Sequence, residues 1–333
     1  MLKARQFVFA AALVGSALVA PVASATTPVD CLTPQQAHTD RPRDLIGGQR
    51  AAQDDVLPDG SRAPQILRDA YASGALPRRL LTKDPDGTVH AKVGKGQARI
   101  QVYVHVVHDG ATGKVSPTDV VKQLQALNRN FAATSANMFA FTLVGLDYTD
   151  NKTWHTVHTS DEGPTLPDEA AMKTALHKGG PGDLNLYLNE PQYQDPNDGS
   201  LSGLIGIATF PWTRADDPVR DGVMIKYTTL PGGASTHFNE GKQALHETGH
   251  WLGLYHVFQN GCTTQGDYVA DTPAEASPTD GCPTGKLACD GSSLAPVHNF
   301  MDYSDDACLS EFTPQQAQRA ADNWLAYRYA RRS

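Results

Sequence analysis

Hydrophobic and polar residues alternate along several short stretches of the chain, as they do in strands with one buried face. Residues 99–108 and 139–148 show this alternation and are rich in β-branched and aromatic residues. Shorter apolar runs bounded by Gly, Pro, Asn and Asp predict three further strands, at residues 183–188, 203–210 and 221–227.

Other stretches carry apolar residues three and four positions apart, the spacing of one face of a helix. Residues 64–73, 116–131 and 168–177 have this period, and Thr313-Pro314-Gln315-Gln316 is a capping signal before a final helix. The long stretch 257–312 shows neither period. Strands and helices mixed in this order predict an α+β fold.

The first 25 residues have the pattern of an export signal. Lys3 and Arg5 precede an apolar run, residues 7–20, and Ala23-Ser24-Ala25 matches a signal-peptidase site. Removing this segment takes two of the 28 basic residues and none of the 36 acidic ones. The acidic excess argues against nucleic acid as a partner, and no other run is long enough to span a membrane. We expect a secreted, soluble monomer without a membrane anchor.

One stretch carries residues at the spacing of a catalytic metal site. His246 and His250 lie one helical turn apart on the same face, so both imidazoles can bind one ion. Gly253 can end the helix, and the chain can then return to present His256 as a third ligand. Three neutral nitrogens leave the fourth position of a zinc ion open, which distinguishes a catalytic from a structural site.

Glu247 lies beside the two helical histidines and is the expected general base. Zinc lowers the pKa of a bound water to about 7. Glu247 would take a proton from this water as it attacks a peptide carbonyl, and would later pass a proton to the leaving amine. The alternative is a helix with two surface or capping histidines. The glycine and third histidine at their set offsets favour the metal site.

The extended stretch resembles the zinc signature of the metzincin metallopeptidases, which carry a methionine-containing turn beneath the metal. Asn299-Phe300-Met301-Asp302-Tyr303 fits that turn. The surrounding motifs are similar to those of the pappalysin family, of the ulilysin-like type: Gly261-Cys262, Asp271-Thr272-Pro273, Gly281-Cys282-Pro283 and residues 298–308. The resemblance implies a twisted mixed sheet, a backing helix and an active-site helix above an irregular lower subdomain tied by disulfides.

Four of the five cysteines follow the predicted metal site and can oxidise in an exported chain. Their spacing alone allows three disulfide pairings, or a second, structural zinc site. The resemblance implies the interleaved pairing, Cys262 with Cys289 and Cys282 with Cys308.

The resemblance also assigns roles to residues outside the histidine stretch. Met301 would pack beneath the histidines without binding the metal. Tyr303 would donate a hydrogen bond to the oxyanion of the tetrahedral intermediate, the alternative being a buried structural tyrosine. Gly206 and Ala208 would lie on the sheet edge to which a substrate adds as an extended strand.

The acidic segment that contains Asp267 and Asp271 offers hard oxygen ligands for calcium. The resemblance suggests calcium as well. The alternative is an ordinary solvated acidic loop.

Residues 26–97 are rich in Pro, Gly, Asp and Arg and are interpreted as a pro-segment, or else as an extension that stays attached. Cys31, the cysteine left over, is expected to keep the zymogen latent by filling the open position of the zinc. Its alternatives are an intermolecular disulfide and an inert buried thiol.

The predicted organisation is a signal peptide at 1–25, a pro-segment at 26–97 and a catalytic domain at 98–333, whose upper part ends near residue 256. The predicted function is a secreted zinc-dependent endopeptidase acting on proteins and peptides. The competing class is a non-catalytic secreted calcium-binding or adhesion module on the same scaffold, which would not need Glu247. The sequence does not fix the side-chain preference around the scissile bond.

Overall fold

The structure is a computed structural model that describes residues 43–45, 59–160 and 165–329. Cys31 and the signal segment lie outside these residues. The strands are β1 (Arg43–Leu45), β2 (Leu81–Lys83), β3 (Val89–Ala91), β4 (Ala98–His108), β5 (Phe139–Asp150), β6 (His158–Thr159), β7 (Leu184–Asn189), β8 (Gln192–Gln194), β9 (Leu201–Ala208) and β10 (Val223–Lys226). The α-helices are α1 (Ala63–Ser73), α2 (Pro117–Ala133), α3 (Lys152–His155), α4 (Pro167–Leu176), α5 (Pro211–Asp216), α6 (Lys242–Trp251) and α7 (Pro314–Asn323), and the last continues as a π-helical turn, Trp324–Arg328.

The main sheet is mixed, with strand order β5-β4-β7-β10-β9-β8-β6. β4 runs parallel to both β5 and β7, and β10 is parallel to β7 but antiparallel to β9. The far side of β9 is shared by β8, which pairs with its first residues, and by β1, which runs parallel to the stretch 204–207. This mixed sheet with its helices confirms the α+β prediction.

Two helices pack on the sheet and on each other. In α2, Leu124, Leu127 and Phe131 are buried against the sheet, and the hydroxyl of Ser116 caps the helix by accepting from the Asp119 amide. α6 packs on α2, β9 and β10, and nearly all of its side chains are buried. The sequence therefore predicted the backing helix and the active-site helix correctly.

The stretch that precedes β4 also contributes to the core. Leu67 of α1, Leu81 of β2, and Val89 and Ala91 of β3 are buried in the same hydrophobic cluster as the β4 strand and the α2 helix. α1 packs against β3, α7 and the π-helical turn. Residues 63–91 therefore share one core with the sheet.

The stretch 257–312 has little regular structure, as predicted, and two disulfides tie it together. Cys262 is bonded to Cys289, and Cys282 is bonded to Cys308. The pairing implied by the family resemblance is therefore confirmed. Closing loops of this length contributes about 3–4 kcal/mol each. Within the described residues, no helix is both long and apolar enough to cross a membrane.

Candidate active site

Three histidine side chains converge at the C-terminal end of α6. His246 and His250 lie one turn apart on the helix, and His256 follows in the segment after it; all three are buried. Their Nε2 atoms form a triangle with sides of 3.0, 3.1 and 3.1 Å. Among the described residues, this is the one group of three or more His, Cys, Asp or Glu side chains close enough to hold a metal ion.

The hydrogen bonds of the Nδ1 atoms determine whether the Nε2 atoms of the triangle carry protons or lone pairs. Nδ1 of His246 lies 2.6 Å from the Phe300 carbonyl, and Nδ1 of His250 lies 2.7 Å from the Leu254 carbonyl. A carbonyl oxygen only accepts, so each Nδ1 carries the proton and each Nε2 presents a lone pair. Lone pairs this close repel one another unless a cation lies between them. Nitrogen ligands around tetrahedral zinc, bonded at about 2.0–2.1 Å, are separated by roughly 3.3–3.4 Å, so the three rings need to move apart by only a few tenths of an ångström to hold such an ion.

The turn between α6 and His256 depends on a glycine for two reasons. Gly253 has a φ of 90°, a conformation that other residues rarely adopt. A Cβ atom at this position would also lie 2.4 Å from Nδ2 of Asn323. The turn is supported from later in the chain, because Arg319 Nε donates to the Gly253 carbonyl at 2.9 Å and Arg328 Nε donates to the Trp251 carbonyl at 2.8 Å.

The methionine-containing turn lies beneath the histidines and holds two of the segments that carry them. Besides the Phe300 carbonyl on His246, the Met301 carbonyl accepts from the Val257 amide at 3.1 Å, next to His256. The Met301 side chain is fully buried, and a Cβ on Gly249 would lie 2.5 Å from its sulfur. Gly249 of α6 therefore makes room for the methionine.

Glu247 lies on α6 between His246 and His250 and is fully buried. Gln243, one turn earlier, donates from Nε2 to Glu247 Oε1 at 2.6 Å and so fixes the carboxylate. Gly206 of β9 lies against the same oxygen, since a Cβ there would be 2.3 Å from Oε1. Sequence analysis missed the role of Gln243, although its spacing of four residues from Glu247 places both on one helix face.

Aromatic rings surround the histidines. The Tyr303 ring lies 4.7 Å from the His256 ring and 6.0 Å from the His246 ring, measured between centroids. Phe258 stacks on His256 at 4.6 Å, and Phe210 contacts His250 edge to face at 5.6 Å. The structure thus brings Tyr303 next to the triangle, and the rings shield the histidines from bulk water.

The predicted substrate edge is part of β9. Gly206 pairs with Ile225 of β10 on one side and with Asp44 of β1 on the other, while Ala208 pairs with Val223. In this structure, a strand of the N-terminal segment therefore lies along the edge beside Glu247.

The two acidic residues predicted to bind calcium have different surroundings. Asp271 accepts from the Thr313 hydroxyl at 2.6 Å and from the Gln315 amide at 3.0 Å, so it caps the start of α7. Asp267 is buried, and this burial raises the pKa of its carboxyl to about 7. Within the described residues, no third acidic group joins them in a shared cluster.

Known proteins are similar in sequence to the region that carries this site. The profile of the peptidase family M43, described as pregnancy-associated plasma protein-A, matches residues 184–324. An extracellular metalloprotease of Verticillium alfalfae is 45% identical over 238 residues, or 69% of this chain and 76% of the relative. The chain belongs to the M43 peptidase family. An extracellular metalloprotease of Podospora anserina is 40% identical to this M43 peptidase over 271 residues, or 79% of this chain and 82% of the relative.

Solved structures agree with this assignment. A promirolysin variant of Tannerella forsythia superposes with a TM-score of 0.58 at 25% identity, covering 72% of this chain and 84% of that one. Mature mirolysin in complex with a cleaved peptide gives a TM-score of 0.54 at 27% identity, covering 67% of this chain and 89% of that one. The M43 peptidase is a metalloendopeptidase with a metzincin fold, as the sequence predicted, and the non-catalytic alternative is not favoured.

Proposed function

We propose that His246, His250 and His256 bind zinc and that this M43 peptidase is secreted and cleaves protein and peptide substrates. The observation that carries the proposal is the convergence of three Nε2 atoms to 3.0–3.1 Å, with Nδ1 of two rings held by carbonyls. When bound, zinc supplies a water of lowered pKa and polarises the scissile carbonyl. Secretion is supported by the signal-like first 25 residues and by the extracellular relatives.

Glu247 is the proposed general base. Its carboxylate accepts a proton from the attacking water and returns one to the leaving nitrogen. The hydrogen bond from Gln243 fixes the orientation of the carboxylate, and burial excludes competing solvent. Tyr303, beside His256, is the proposed donor to the developing oxyanion.

The substrate backbone is proposed to pair with β9 at Gly206 and Ala208, next to Glu247. The parallel pairing of β1 with this strand supports the idea, since an extended segment lies on the same strand. The same pairing supports latency of the zymogen, because β1 must leave before a substrate can bind there. Cys31 is proposed to add to this latency as a zinc ligand.

A calcium ion is proposed at Asp267. The Oδ2 atom of Asp267 and the hydroxyl of Thr272 are both buried, and the two side chains lie close enough that Thr272 lowers the carboxyl pKa that burial raises. Both are hard oxygen ligands of the kind calcium prefers. Calcium should therefore raise the thermal unfolding midpoint of the parent and should leave that of Asp267→Asn unchanged. A calcium response of equal size in both proteins would remove Asp267 from the site.

Glu247→Gln tests the peptidase mechanism. The amide keeps the shape of the side chain but cannot take up the proton of water, so activity should fall about 100-fold or more while zinc content stays at the parental level. Glu240→Gln is the matched control, because Glu240 lies just before α6 with a half-exposed carboxylate paired with Lys242. Activity of Glu247→Gln within threefold of the parent would contradict the role. Parental activity that survives complete metal removal would contradict the metal mechanism.

A further inference from the structure

Residues 59–62, here named the N-terminal clasp, each bond to a distant part of the catalytic domain. The contacts involve two side chains and two backbone amides, and every partner lies after the metal-binding helix. The pairs are Asp59 with both terminal nitrogens of Arg319 at 2.9 and 2.6 Å, the Gly60 amide with the Tyr255 hydroxyl at 3.2 Å, the Ser61 hydroxyl with Asn323 Oδ1 at 2.6 Å, and the Arg62 amide with the Tyr327 hydroxyl at 2.7 Å.

Two of these partners hold the turn that leads to His256. Arg319 uses its third nitrogen, Nε, to donate to the Gly253 carbonyl at 2.9 Å, and its guanidinium carbon lies 5.3 Å from the centre of the Tyr255 ring. The Asn323 side chain fills the space that a side chain at Gly253 would need. Arg319 and Asn323 therefore lie between the clasp and the turn at Gly253. The third histidine follows this turn in the chain.

The clasp leads into a segment that the domain cannot lose without exposing its core. Leu67, Val89 and Ala91 are buried in the main hydrophobic cluster. β3 is also fixed to α7 by hydrogen bonds, since Asp322 accepts from the Ala91 amide at 2.6 Å and Gln318 Nε2 donates to the Ala91 carbonyl at 3.0 Å. β1 differs in this respect, because it pairs with the strand edge that the proposed substrate needs.

We propose that residues 59–97 are a permanent part of the active peptidase, and that the clasp positions the His256 turn through Arg319 and Asn323. The activating cut then lies N-terminal to Asp59, and the Arg78-Arg79 pair is not a processing site. This boundary differs from the sequence-based interpretation, which assigned all of 26–97 to the pro-segment. The positioning role rests on the proposed metal site, whereas the boundary does not.

N-terminal sequencing of the active, secreted form of the full chain tests the boundary. The active form should begin at or before Asp59. An active form that begins later, for example between Arg79 and Arg99, would overturn the proposal. This readout does not depend on which metal is bound or on which residues hold it.

Asp59→Asn in the full chain tests the positioning role. This substitution weakens the hydrogen bonds between residue 59 and Arg319. Zinc should therefore pass to a competing chelator about 5- to 10-fold faster, and kcat should fall while KM stays within twofold. Asp59→Glu should restore most of both values. Asp69→Asn is the matched control, because Asp69 bonds within its own helix and is exposed. Equal rates of zinc loss in Asp59→Asn and Asp69→Asn would overturn the role, whereas a parent protein that holds no zinc would instead refute the proposed metal site.

Discussion

Gly206→Ala should inactivate the peptidase without unfolding it. The added Cβ would lie 2.3 Å from Glu247 Oε1 and 2.7 Å from Gln243 Nε2, whereas ordinary contacts begin at 3.4 Å. Both atoms are the ends of side chains, so they can retreat at a modest cost in stability, about 1–3 kcal/mol. The carboxylate would retreat by about 1 Å, and a displacement of that size at a catalytic group costs roughly 100-fold in rate.

Gly203→Ala is the control for this prediction. Gly203 lies on the same strand, β9, and a Cβ there would meet no atom within 4 Å. We expect kcat/KM to fall about 100-fold in Gly206→Ala and to stay near the parental value in Gly203→Ala, with zinc content equal in all three proteins. Gly206→Ala activity within threefold of the parent would refute the reasoning. Loss of zinc from Gly206→Ala would also refute it, because the damage would then extend beyond the carboxylate.

Three further changes test other residues. Tyr303→Phe should lower kcat about 10- to 100-fold with little change in KM, since an oxyanion needs the hydroxyl mainly in the transition state; a raised KM at constant kcat would make Tyr303 a binding residue. The Cys31→Ala zymogen should cleave peptides slowly before processing, since β1 still pairs with β9, and latency equal to that of the parent would exclude the thiol. Burial raises the pKa of the Asp306 carboxyl to about 6 from 3.8, so the folded state disfavours its charged form and stability should fall as pH rises from about 4 to 6. Asp306→Asn should remove that fall in stability and should stabilise the protein at pH 8 by about 1–3 kcal/mol. Urea unfolding at several pH values tests this, and equal stability of variant and parent would contradict it.

Local periodicity predicted most of the regular elements because each depends on neighbouring residues. The alternation at 99–108 corresponds to β4, and the capping signal at Thr313 precedes α7 directly, where Thr313 and Gln316 form the capping box. The active-site helix begins at Lys242, directly after Gly241. The reason is local, since Gly241 adopts a φ of 81° and so cannot continue a helix backwards.

Burial on the second face of the sheet was not predictable from alternation. The alternation at 99–108 predicts one buried face of β4, but the ring of His105 on the opposite face is also fully buried, with Nδ1 2.9 Å from Asp147 and Nε2 3.0 Å from Asn185. Alternation indicates two faces of a strand and does not show whether other elements cover the second one.

Part of the candidate site could likewise be predicted from the sequence, and part could not. The three histidines and Glu247 could be predicted because an α-helix and a glycine turn bring them together within eleven residues of sequence. Gly206 and Arg319 could not be assigned their contacts, because each reaches the site from a different part of the chain. The pattern of a single sequence contains no information on which distant segments meet. The contacts of the clasp and the close approach of Gly206 to Glu247 are therefore visible only in the structure.

The arginine contacts behind α6 have a consequence for biosynthesis. Arg319 follows Gly253 by 66 residues, and Arg328 follows Trp251 by 77 residues. During synthesis, the chain therefore presents its first two histidines before the turn that leads to His256 has these supports. Until Arg319 and Arg328 have been added, the turn that presents His256 lacks these two hydrogen bonds.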